Sequence, residues 1–126
     1  MIQRNLSDVR ALQHEMVVLS CKVRMDGSGG VEVVEGTGFA AGNFSDAGTG
    51  LLDVVLPGTG AVDVIACHVD LILASATDLK AHVVSITEST RTIRIRTVAV
   101  ATATDVPNDD WVMLTVVCKN TSALNA

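Results

Sequence analysis

Aromatic side chains are nearly missing from this sequence: 2% of the residues, with one Trp (Trp111), two Phe (Phe39 and Phe44) and no Tyr. Sugar-binding faces and single-stranded nucleic-acid platforms stack their ligands on such rings, so both functions are disfavoured. Cations are also scarce, with nine Lys and Arg against fourteen Asp and Glu and a net charge of −5. A nucleic-acid binder needs a basic footprint to displace counterions, and this chain has too little positive charge for one. There are three cysteines, Cys21, Cys67 and Cys118, with no C-x-x-C pair. Their spacing is too wide for a small zinc module, and each sits in an apolar run, so buried free thiols are expected. No long apolar stretch suggests a signal peptide or a membrane span, and the expectation is a soluble protein made in a cytoplasm.

What the chain does have is short apolar runs with a two-residue period, separated by glycine. In Met16–Met25, Val17, Leu19, Cys21, Val23 and Met25 fall on one side, and Ser20, Lys22 and Arg24 on the other. That alternation predicts a strand with one buried face. The same reading predicts strands at Val31–Glu35, with Val31 and Val33 facing together, and at Phe39–Phe44. It predicts another at Leu51–Leu56, with Leu52, Val54 and Leu56 inward. In the long run Ala61–Leu73, Ile65, Cys67, Val69, Leu71 and Leu73 share a face. Leu79–Thr87 carries Val84 and Ile86 with His82 on their side. Arg91–Val100 places Ile93 and Ile95 inward and Arg94 and Arg96 outward. Trp111–Lys119 closes the body with Val112, Leu114, Val116 and Cys118 together. Turns are expected at 26–30, 45–50, 57–60 and 88–90, and a loop at 104–110.

About eight antiparallel strands with turn signals roughly every ten residues predict an all-β domain, a β-sandwich or jelly-roll-like body over residues 16–120. Residues 1–15 read as an N-terminal arm with one helical turn at most, capped by Ser7, and residues 121–126 as a C-terminal tail. Many outward positions hold Val, Thr or Ala, which predicts self-association through sheet faces or edges.

Chemistry is sparse. Gly36-Thr37-Gly38 and Gly58-Thr59-Gly60 precede no helix and lack the lysine of a phosphate loop, so they read as turns. Cys67 and His68 are adjacent on a strand and point to opposite faces, which disfavours a shared metal or a nucleophile–base pair. Asp105, Asp109 and Asp110 lack the alternating ligand spacing of a calcium loop. No catalytic residue, metal or cofactor is predicted, and an enzyme is the least favoured class.

From Asp26 to Ser122 the order of features resembles the capsid decoration, or cement, proteins of tailed bacteriophages. The resemblance lies in Gly27-Ser28-Gly29-Gly30 after the first strand and in Gly36-Thr37-Gly38-Phe39. It continues in Asp46-Ala47-Gly48-Thr49-Gly50 leading into Leu51-Leu52-Asp53-Val54-Val55-Leu56. It is strongest from Arg94 to Asp105 and from Pro107 to Val117. The resemblance implies a homotrimer on the outside of an icosahedral head, synthesised in a bacterial host, with the major capsid protein as partner and no nucleic acid or membrane bound. Partner contacts are expected from Ile2, Arg4, Leu6, Arg10 and Leu12 of the arm. Arg94 and Arg96 are expected to pair with acids of another chain, Asp105, Asp109 or Asp110 being candidates. The alternative reading is a trimeric tail or fibre component, or another jelly-roll receptor-binding module; no repeat or coiled-coil pattern favours it.

Overall fold

The computed structural model describes residues 16–36, 38–74 and 78–119. They form two antiparallel sheets packed as a β-sandwich. The strands are β1 (Met16–Met25), β2 (Val31–Gly36), β3 (Phe44–Gly48), β4 (Leu51–Val55), β5 (Val64–Ile72), β6 (Leu79–Thr87), β7 (Thr92–Ala99), β8 (Thr102–Ala103) and β9 (Trp111–Lys119). The first sheet runs β2-β1-β9-β5. The second runs β3-β4-β7-β6, with the two-residue β8 paired to β7.

The core lies between the sheets and is aliphatic, as a chain so poor in rings requires. Leu56, Ile93, Ile95, Leu114, Val23, Val54, Val116 and Cys118 are its largest fully buried side chains. Each buried Leu, Ile or Val contributes about 1.5–3 kcal/mol relative to exposure. The four central strands β1, β9, β4 and β7 supply all of them but Leu56, which directly follows β4, and there the expected alternation holds residue for residue: β1 pairs with β9 without a break from Met16↔Lys119 to Arg24↔Trp111, and β4 with β7 from Leu51↔Arg96 to Val55↔Thr92.

The four edge strands behave differently, because each pairing has one extra residue on its edge strand: Glu32 in β2, Ala47 in β3, Ile65 in β5 and Val84 in β6. A bulge of this kind flips the inside–outside parity beyond it. Three expectations are corrected on that ground. Val31 shares the core side with Val34, opposite Met25 and Val23, while Val33 lies opposite Arg24. Ile65 is not on the face of Cys67, Val69, Leu71 and Leu73; it is 51% exposed. Val84 is 49% exposed, and the core side of β6 is formed by Leu79, Ala81 and Val83.

Boundaries also move, and the run expected over Ala61–Leu73 is a strand only from Val64 to Ile72. Phe39–Phe44 is not a strand, since Ala41–Asn43 is a turn of 3₁₀ helix in which Asn43 accepts from Ala40 N–H at 2.9 Å and donates to the Val55 carbonyl at 2.7 Å. The strand begins at Phe44 and runs to Gly48, so Ser45, Asp46, Ala47 and Gly48 of the expected turn 45–50 are strand. Turn 26–30 is held by Asp26, whose Oδ1 accepts from Ser28 N–H at 2.7 Å and Gly30 N–H at 3.0 Å. Gly29 has φ +89°, and a Cβ there would come within 2.7 Å of the Asp46 carboxylate. Both constraints demand glycine.

Candidate interaction surface

The outer face of the first sheet is apolar at two places. Val18, Val117 and Ala66 lie in one row across β1, β9 and β5, with Ile65 beside them in its bulge. Val18 is 63% exposed. At the other end Trp111 lies between Arg24 and Ile72, and the Lys22 ammonium stands 4.4 Å from the centre of its ring, a cation–π contact that half-covers the indole.

The outer face of the second sheet is mixed, with Leu51, Val55 and Val98 on the same side as Asp53, Arg94 and Arg96, and its centre is Arg94. This guanidinium meets Asp53 on the neighbouring strand with two parallel bonds, Nε to Oδ1 at 2.8 Å and Nη2 to Oδ2 at 2.9 Å. Strand register produces the pair, because Asp53 lies directly opposite Arg94. The hydrogen bonds from Arg94 hold the Asp53 carboxyl below its ordinary range, and the same contact raises the guanidinium. Arg96 is one row away, opposite His82 on β6 and Leu51 on β4.

The expected acidic partners are therefore corrected for Arg94. Its acid comes from its own chain, and the three candidates have other tasks. Asp105 accepts from Gly50 N–H at 2.7 Å, and Asp110 is buried and accepts from Ala74 N–H at 3.0 Å. Asp109 lies 3.7 Å from Arg24 Nε. Sequence alternation put Asp53 and Arg94 on outward positions, but only the pairing of β4 with β7 makes them partners. Arg96 has no ion pair or hydrogen bond among the described residues. Ile2, Arg4, Leu6, Arg10 and Leu12 lie outside the described residues.

The Cys67–His68 step has the geometry its strand position predicts. Cys67 packs against the core, while His68 is exposed with Nε2 2.9 Å from Asp70 Oδ2. Burial pushes all three thiols up, Cys21 to about 11, so each stays protonated and poorly nucleophilic at neutral pH. Among the described residues no group of three or more His, Cys, Asp or Glu is placed to hold a metal ion. No described helix is long and apolar enough to cross a membrane. Comparison with protein-family models, with curated proteins and with solved structures found no match to this chain.

Proposed function

We propose that this chain is a virion structural protein, a capsid decoration or cement protein that binds the outside of an icosahedral phage head as a homotrimer and ties neighbouring capsomers together. The observation that carries the reading is the pairing of a well-filled aliphatic core with apolar side chains left on the outer face of the first sheet. Val18, Ile65, Ala66 and Val117 form such a row, and a solitary soluble domain gains nothing from placing them there. The resemblance from Asp26 to Ser122 supports the same reading. Bulges on all four edge strands interrupt straight edge-to-edge pairing, which favours faces over edges as the contacts of an assembly.

Heads stripped of the protein, mixed with the purified chain and sedimented, test the reading. Saturable attachment that delays thermal rupture of the heads is the expected result; no attachment to heads of the phage that encodes the chain overturns it. A chain starting at Met16 separates the arm from the body. It should fold and trimerise but attach much more weakly, and unchanged occupancy would remove the arm as an anchor.

A further inference from the structure

The described lysines and arginines are almost all in use. Arg94 pairs with Asp53, Lys119 with Asp63, and Arg24 with Glu32 and Asp109. Arg91 donates to the carbonyls of Leu56 and Gly60, and Lys22 sits over Trp111. Lys80 and Arg96 remain. Both are exposed and neither has an ion pair or hydrogen bond among the described residues. They are neighbours on one surface: Lys80 and His82 are two apart on β6, so they share the outer side, and His82 lies directly opposite Arg96 on β7. In a chain of net charge −5, three nitrogen-bearing side chains stand together at one end of the second sheet. The one acid on the adjoining rows of β4 and β7, Asp53, is already taken by Arg94. Asp78, two residues before Lys80, is exposed at the start of β6.

We propose that Lys80, His82 and Arg96 form a docking surface for a carboxylate-rich face of another protein. Charge complementarity supports that occupant. An arginine left without a carboxylate beside a second cation and an imidazole is electrostatically unfavourable in isolation and becomes favourable against an acidic surface. Arg96 stands on a central strand paired on both sides, opposite Leu51 of β4 and His82 of β6, so it is presented from a rigid strand. A nucleic acid is the weaker occupant, because neither β6 nor β7 carries a Phe, Tyr or Trp on which a base could stack. The proposal rests on the capsid reading only for the identity of the acidic surface, which would then be the head exterior.

The test uses the full-length, isotope-labelled chain titrated at low salt with poly-L-glutamate and, separately, with oligothymidylate. Poly-L-glutamate should shift the amide resonances of 80–84 and 94–98 first. Arg96→Glu should weaken the binding at least tenfold, whereas Lys119→Glu, which changes net charge equally on the other sheet, should change it little. Arg96→Gln, a milder variant, should fall between. Each variant's dispersed spectrum shows that it remains folded. Shifts centred elsewhere, equal effects of Arg96→Glu and Lys119→Glu, or tighter binding of oligothymidylate at these residues would each overturn the proposal. Stripped heads separate it from the capsid reading. If the natural chain decorates heads and Lys80→Glu/Arg96→Glu decorates them equally well, this surface is not the contact although the capsid reading survives. If the natural chain does not attach, the capsid reading fails while the titration still decides the surface.

Discussion

At the scale of single residues, backbone geometry and burial separate positions that look alike in the sequence. Gly50 has φ +69°, and a Cβ on it would lie 2.6 Å from the Thr97 carbonyl oxygen and 2.8 Å from the Thr104 nitrogen. Both neighbours are backbone and neither can yield cheaply. Gly50→Ala is therefore expected to destabilise by about 3 kcal/mol or more, from the left-handed conformation together with the clash. Gly42 has open space around it, and Gly42→Ala should change stability by less than about 0.5 kcal/mol. Urea denaturation of the two variants checks the contrast, and comparable losses would show that the close approach at Gly50 is not as described. The same logic distinguishes Ile95, 1% exposed, from Val84, 49% exposed. Ile95→Ala should cost about 2–5 kcal/mol through cavity formation, and Val84→Ala a few tenths at most.

At the scale of the elements, the β4–β7 pair carries a titratable link. The Asp53 carboxyl is held below its ordinary value of 3.8 by Arg94. A group depressed in the folded state contributes stability that is present above its unfolded pKa and is lost as pH falls through its folded pKa. Asp53→Asn should thus lower the melting temperature at pH 7, and the gap from the natural chain should close below pH 3.8. A gap constant across that range in thermal scans would mean that the carboxylate charge is not what Arg94 uses. Partial exposure of the pair keeps the effect modest.

The edge strands make a second claim at this scale. Deleting Val84, the extra residue in β6, leaves Val83 opposite Ile95 and Ser85 opposite Arg94. Register is preserved and the edge becomes regular. Such a variant should fold but aggregate faster on warming than the natural chain, since a straight edge can pair with another copy. Slower aggregation would show that the bulge does not protect the edge.

At the scale of the whole molecule, the apolar row Val18, Val117, Ala66 and Ile65 bears on association. If the chain trimerises through this face, Val18→Glu should shift the species seen by light scattering at micromolar concentration toward monomer without lowering the monomer's own stability, because Val18 lies outside the core. A natural chain that is monomeric at that concentration counts against the trimer. A trimer indifferent to Val18→Glu places its interface elsewhere.

The all-β class, the central strands and their inward sets were legible from the sequence because a two-residue period survives wherever a strand is paired on both sides without interruption: Cys21, Val23 and Met25, then Leu52 and Val54, Ile93 and Ile95, and Val112 to Cys118 all fall where alternation puts them. The opposite facing of Cys67 and His68 was legible for the same local reason, since adjacent strand residues alternate sides. What the tertiary structure alone decided is which strands are edges, where each edge takes up an extra residue, and which outward side chains meet. Val33, Ile65 and Val84 change sides because Glu32, Ile65 and Val84 are bulged against a partner strand far away in sequence. Asp53 captures Arg94, and Arg96 is left beside His82, because residues 41 and 14 positions apart become neighbours only when β4, β7 and β6 pair. Hydrophobic period is written along a chain, whereas cross-strand charge is set by register between chain segments, and register is fixed by the packing of both sheets at once.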